Sequence, residues 1–373
     1  MLKKAIVAGH ICLDITPVFK NNDIKPIENI LQPGKLVEMG NATVSTGGCV
    51  ANTGLAMKIL GADVSLMGKV GNDSFGDMII NILHKYDADK GMIRVDNESS
   101  SYSIVLAIPG IDRIFLHCPG ANNTYIADDI DDNELKEAAL FHFGYPPIMK
   151  MMYQNDGDEL IKVFIKAREN GCATSLDLAS VDPSSDAGKK DWKKILQKLL
   201  PYVDIFVPSI EELCFMLDKD RYNDWQHKAN GKDITEILDL EKDIKPLAHE
   251  CMEYGVKILL LKCGKKGLYY KTTNKEYLSS ISNRLELIIE DWSMKEGFEK
   301  SFKPNAVLSA TGAGDTSIGA FLTSMLNGET IEKSVELASA TGACCVEAYD
   351  ALSGIKDLET VKNRIENGWE KNE

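Results

Sequence analysis

The chain has 373 residues, 44% hydrophobic and 26% charged, with a formal net charge of −14. This allows one large α/β domain or two modest ones around a sizeable core, and the acidity argues against nucleic acid or an anionic membrane as the main partner. The 9 Cys, an odd number with no CxxC pair, fit free thiols in a reducing cytoplasm rather than zinc or disulfides, and no stretch is long enough to span a membrane.

Ala5 to Gly9 is short, apolar and partly β-branched, as a buried strand is. One Gly ends it, so the GxGxxG dinucleotide fingerprint is absent here. Asp14 follows directly, where a carboxylate either meets a ligand at the sheet edge or caps a turn. Residues 20–45 are turn-rich with short β-like pieces. Gly47 and Gly48 then open a helix of small and apolar residues, with Asn52 in its first turns and Gly61 as its stop. A strand over 64–67, a Gly-punctuated loop over 69–77 and a helix over 78–86 come next. Residues 93–117 alternate apolar and polar about a Pro109-Gly110 turn, which predicts a β-hairpin. With 12–45 it forms a small β-rich patch, either a lid over a crevice or an edge hairpin without function. Asp128, Asp129, Asp131 and Asp132 lack EF-hand spacing and read as acids ahead of a helix.

From 139 the αβ rhythm is regular: strands over 140–143, 173–178 and 204–207, and helices over 156–169 and 189–199. His142, at a strand end, reads as a core or rim histidine. Ser209 and Glu212 form a capping box for the next helix. Residues 218–245 are polar and charged, an inserted helical excursion. The apolar strand 256–261 runs into Lys262-Cys263-Gly264-Lys265-Lys266-Gly267 and a second strand. Lys and Gly at a strand's end suit a triphosphate or, equally, a solvated turn. Residues 283–303 are irregular. In Ser309 to Phe321, Gly312 and Gly314 precede an apolar run at helical spacing. Such a turn brings backbone N–H groups and the positive end of a helix dipole close to an anion. Asp315 beside that cradle is a poor phosphate ligand but a good acceptor for the proton of an attacking hydroxyl. A Gly-rich turn capped by Asp is the other reading. A second helix over 331–348, broken by Gly342, completes the pattern.

Gly47-Gly48-Cys49-Val50-Ala51-Asn52, with Gly61 and Gly71 downstream, resembles the first signature of the ribokinase-like (PfkB) sugar kinase family. Ser309 to Asp315 resembles the second, D-T-x-G-A-G-D. The order of motifs also matches, and the resemblance covers essentially the whole chain. It implies a ribokinase-like, doubly wound α/β sheet flanked by helices, with a small β-sheet lid. It implies a single kinase domain over 1–373, with a discontinuous lid near 12–45 and 93–120 and an insertion near 218–245. The implied activity is ATP-dependent phosphorylation of a primary hydroxyl on a sugar or sugar-like alcohol. Asp315 would be the base, and Gly312, Ala313 and Gly314 the anion hole. Asp14, Gly47, Gly48 and Asn52 would hold the sugar. Lys262, Gly264 and Gly267 would line the ATP site, and Glu212 would help organise Mg²⁺ through water. The lid can also mediate a homodimer in this family.

Two departures stand out. Ser309 replaces the signature's first Asp, which potassium-activated relatives place near the ion, and this argues against potassium activation. Ser209 replaces the Asn of the family's Asn-x-x-Glu, while Glu212 is kept. Two rival readings remain: a nucleoside kinase of the same superfamily, with Tyr102, Phe115 and Tyr145 available to stack a base, and a sugar-sensing protein without turnover.

Overall fold

The computed structural model describes residues 3–20, 27–108 and 113–372. The expected Pro109-Gly110 turn lies outside them. In chain order the strands are β1 (Lys4–Gly9), β2 (Cys12–Phe19), β3 (Met39–Gly47), β4 (Asp63–Gly71), β5 (Gly91–Val95), β6 (Tyr102–Leu106) and β7 (Ile114–Cys118). They continue with β8 (Leu140–Gly144), β9 (Ala173–Asp177), β10 (Ile205–Phe206), β11 (Ile258–Lys262), β12 (Gly267–Thr272) and β13 (Glu296–Lys300). Nine build one sheet in the order β13-β12-β11-β10-β9-β8-β1-β4-β5, and four build a small one in the order β3-β2-β6-β7. The large sheet is parallel from β11 to β5, and β12 and β13 extend it antiparallel. β8 and β9, and β1 from Ala5 onward, are buried along their whole length, so helices must cover both sides. Two large apolar clusters do so, one per face, around Phe141, Phe143 and Phe164 and around Val7, Leu66 and Phe321.

Four helices position the site: α1 (Cys49–Ile59), α2 (Ile210–Leu217), α3 (Ala313–Leu326) and α4 (Ile331–Cys345). Small residues let three of them approach closely. A methyl group at Gly319 of α3 would stand 3.0 Å from Ala56 Cβ and 3.1 Å from the Thr53 carbonyl of α1. A methyl at Gly342 of α4 would stand 2.3 Å from Ser317 Oγ of α3. Gly342 therefore does not break its helix, as the pattern suggested. It is the point at which α4 meets α3, and α4 runs through it.

Other expectations change as well. Residues 93–95 belong to β5, paired with β4 in the large sheet rather than with the hairpin. The segment 283–303 is not wholly irregular, because Glu296–Lys300 adds an edge strand to β12. Its Glu-Gly-Phe-Glu-Lys sequence hides the strand signal, since an exposed edge carries charges rather than a continuous apolar run. Here Lys271 pairs with Glu296 and Lys371 with Glu299. The 218–245 segment contains a helix over Lys219–Ala229, then short helical turns. Asp131 caps the helix Asp132–Glu137, and Asp129 pairs with Lys69 at 2.6 Å, so these acids serve the fold. Among the described residues no helix is long and apolar enough to cross a membrane.

Gly342→Leu should wedge α4 from α3 and cost about 1–3 kcal/mol of stability, read as a lower denaturant midpoint. An unchanged midpoint would show that the two helices are not in close contact.

Candidate functional site

Parallel strands deliver their C-terminal ends to one edge of a sheet, and ligands bind at that edge. His10 follows β1, Tyr145 follows β8, Asp177 ends β9, Ser209 lies just beyond β10 and Lys262 ends β11. The small sheet faces the same edge with Cys12, Asp14 and Ser103. Between them lies a cavity of about 740 Å³. Asp14, Gly48, Asn52, Glu212, Gly312 and Asp315, far apart in sequence, all line it.

Asp315 sits in the first turn of α3, only 4% exposed. The turn before it depends on Gly312, whose φ of 75° is left-handed and whose added methyl would stand 2.2 Å from Ala351 Cβ. The Asp315 carboxylate accepts from Asn52 Nδ2 at 2.9 Å and from the Tyr145 hydroxyl at 2.8 Å to each oxygen. Thr53 Oγ1 stands at 3.5 Å. Burial raises the pKa of Asp315 above the ordinary carboxylate value, while the Lys262 charge and the Asn52 and Tyr145 hydrogen bonds pull it back. Lys262 Nζ donates to Asp177 Oδ1 at 2.7 Å. Burial also pushes the Asp177 carboxyl up, and its Oδ2 is buried without a hydrogen-bond partner. A methyl at Gly314 would lie 3.5 Å from Lys262 Cδ and 3.7 Å from Nζ, so the start of α3 rests beside this cation.

The Gly47-Gly48 pair has a steric cause. A methyl at Gly47 would fall 2.1 Å from Asp14 Oδ2, and one at Gly48 would fall 2.5 Å from His10 Nδ1. Two polar side chains thus lie directly against the backbone at the start of α1. Asp14 accepts from Cys12 Sγ at 3.3 Å. Burial raises its pKa, opposed by Cys12 and Ser103.

Glu212 satisfies its capping role, its Oε2 accepting from the Ser209 N–H at 2.9 Å while Ser209 Oγ accepts from the Glu212 N–H at 3.2 Å. It lines the cavity as well. Gly264 and Gly267 do not line it. Gly264 is pressed against Thr235, a methyl there lying 2.7 Å from Oγ1, and at Gly267 a methyl would lie 2.0 Å from the Glu299 carbonyl of β13. His142 is a core residue, bonded through Nδ1 to Ser175 Oγ at 2.9 Å.

Sequence reasoning assigned no role to Asp177, His10 and Ser103, and considered Tyr145 and the stretch from His117 only as possible substrate contacts. For Asp177, His10 and Tyr145 the available signal was their place at or just past the end of a strand that reaches the cavity, whereas Ser103 lies near the start of β6. For Tyr145 the structure adds a φ of 67°, a left-handed conformation that a bulky residue rarely adopts. The three aromatics considered for a stacked base do not form one platform. Tyr145 is engaged by Asp315, Tyr102 packs edge-on to Phe75 at 5.3 Å, and Phe115 remains half-exposed beside the cavity.

A family model described as pfkB family carbohydrate kinase matches residues 11–358. A sugar kinase of Archaeoglobus fulgidus, named as uncharacterized, is 24% identical over 81% of this chain and 98% of its own. A ribokinase of Staphylococcus aureus is 23% identical over 97% of this chain and 99% of its own. Among solved structures, an Arabidopsis thaliana ribokinase complexed with ribose and ATP aligns with a TM-score of 0.70 at 20% identity, over 97% of this chain and 98% of that one. A putative ribokinase II of E. coli in complex with ATP and Mg²⁺ aligns with a TM-score of 0.71 at 22% identity, over 98% and 100%.

Proposed function

The chain belongs to the pfkB family of carbohydrate kinases, phosphotransferases with an alcohol acceptor, and from that membership we propose that it moves the γ-phosphoryl of ATP to a primary hydroxyl of a sugar or sugar-like alcohol. The observation that carries this reading is Asp315, a buried carboxylate in the first turn of α3, held by Asn52 and Tyr145 and open to the cavity. Asp14, Gly47, Gly48 and Asn52 hold the acceptor, with Asp14 accepting from its hydroxyls. Gly312, Ala313 and Gly314 are assigned the anion hole at the positive end of α3, where negative charge develops on the transferred group, the Ala313 N–H donating to the Ala310 carbonyl at 3.4 Å in this structure. Asp315 takes the proton of the attacking hydroxyl. Its raised pKa makes it a stronger base than an exposed Asp, provided the pH keeps it ionised.

Lys262, with Gly264 and Gly267 on the turn beyond it, is assigned to the nucleotide side, where its charge would meet the phosphates. Among the described residues no group of three or more His, Cys, Asp or Glu side chains could form a metal cage. That suits Mg²⁺, which keeps several waters and is bound largely through substrate phosphates. Glu212, with one oxygen spent on its cap, and the unpartnered Oδ2 of Asp177 are the acids that would orient those waters. When bound, Mg²⁺ supplies charge neutralisation on the phosphates. Ser309, whose hydroxyl donates to Thr311 at 2.9 Å, brings no charge to the position where the signature has Asp, so no potassium activation is assigned.

The small sheet acts as the lid, over a single kinase domain that carries the 218–245 insertion. The cytoplasm is the assigned compartment. The lid's face opposite Asp14 carries exposed Val44 and Leu116, and a homodimer would use that face. Light scattering of the wild type should return twice the chain mass, and a monomer at micromolar concentration would remove the dimer from the account. Asp315→Asn keeps the shape and the Asn52 contact region but loses the base. It should lower kcat by about 10²–10⁴-fold with ATP binding retained. A folded variant with near-wild-type turnover would overturn the assignment.

A further inference from the structure

A row of polar side chains crosses the acceptor side of the cavity and meets the Asp315 network only where the His10 ring stands 6.1 Å from that of Tyr145. It begins at Asp14 on β2. Ser103 on β6 is the register partner of Asp14, and His117 on β7 is the register partner of Ser103, so the three side chains share one face of the small sheet. Ser103 Oγ lies 3.0 Å from His117 Nδ1, and His117 Nε2 lies 3.3 Å from His10 Nε2, across from the small sheet to the end of β1. His10 is 2% exposed, and its Nδ1 is buried without a partner.

Asp14 and Ser103 are register partners on one face of the small sheet, and a carboxylate only accepts, so a Ser103 proton turned toward Asp14 would leave Ser103 Oγ as an acceptor. Ser103 Oγ must then accept from His117 Nδ1–H. A neutral His117 with its proton on Nδ1 has a bare Nε2, which accepts from His10 Nε2–H. A neutral His10 is then left with a bare Nδ1. The far end of the chain agrees independently. His10 Nδ1 faces Gly48 so closely that a methyl there would be 2.5 Å away, and no acceptor is within reach to take a proton from it. A proton on that nitrogen would be buried and unsatisfied.

We propose that His10 and His117 are positioning residues for the acceptor site: the chain His10–His117–Ser103–Asp14 holds the substrate-binding carboxylate and ties the small sheet to the end of β1, in the single direction Nε2–H of His10 to Nε2 of His117 and Nδ1–H of His117 to Ser103. This rests on the sugar-kinase reading only in taking Asp14 as an acceptor ligand. Loss of the chain loosens the acceptor site and leaves the nucleotide side alone.

Two measurements on the full chain test it. Long-range ¹H–¹⁵N spectra of the imidazoles at neutral pH should show His10 protonated on Nε2 and His117 on Nδ1. The opposite tautomer at either residue, or a charged ring, overturns the proposal without reference to turnover. The second measurement is steady-state kinetics with ATP and D-ribose or D-fructose. His117→Leu should raise KM for the sugar about 10-fold, with KM for ATP within about twofold. His117→Gln should recover most of that loss, because its amide can donate to Ser103 and accept from His10. Equal impairment of the two variants, or equality of both with wild type, overturns the proposal. Wild type that phosphorylates no sugar while the tautomers are as stated would overturn the sugar-kinase reading alone.

Discussion

The structure depends on keeping one carboxylate, that of Asp315, away from water without losing its charge. Desolvating an ion costs several kcal/mol. Hydrogen bonds to a charged group each return about 1.5–3 kcal/mol, so two good donors offset much of that cost. The donors come from different parts of the chain, Asn52 from α1 and Tyr145 from the end of β8. Asn52 could not reach Asp315 unless α1 and α3 packed closely, and Gly319 against Ala56 lets them. Small residues in the helix contact are thus a condition of the site's electrostatics.

The nearest cation is largely committed elsewhere. Lys262 holds Asp177 at 2.7 Å and acts on Asp315 through its field rather than through a bond. Asp315 has no direct ion pair with Lys262, and that cation is assigned to the incoming phosphates. On the opposite side of the cavity the small sheet brings a separate polar chain, whose direction follows from the partnerless Nδ1 of His10. The two networks meet where the His10 ring stands beside that of Tyr145.

Much of this was legible in the sequence. The two Gly motifs, their order and the single Asp after the second pointed to Gly48, Asn52, Gly312 and Asp315, which line one cavity, since turns that demand Gly and helix starts that favour anions leave local traces. Gly47 and Gly48 were visible as glycines, but the reason for them, Asp14 and His10 lying on the backbone, is a tertiary fact. Tyr145 was visible only as an aromatic and Asp177 only as a strand-end acid, because their contacts with Asp315 and Lys262 come from parallel strands ending at one edge. Gly342 was misread as a helix break because local propensity penalises Gly, whereas here the contact with Ser317 requires it. The strand β13 was missed because edge strands carry charge and lose the apolar pattern.

The central claim is that the Asp315 carboxylate, raised in pKa by burial and restrained by Tyr145, accepts the proton of the attacking hydroxyl. The most direct measurement is kcat/KM for the acceptor between about pH 4 and pH 8, in wild type and in Tyr145→Phe. A base with a raised pKa is active while ionised and fails as pH falls through that pKa. The wild-type acid limb should therefore lie above the ordinary carboxylate range. Removing the Tyr145 hydrogen bond, which lowers the pKa, should move the limb to higher pH. A flat profile, or a limb that stays in place in Tyr145→Phe, would contradict the account.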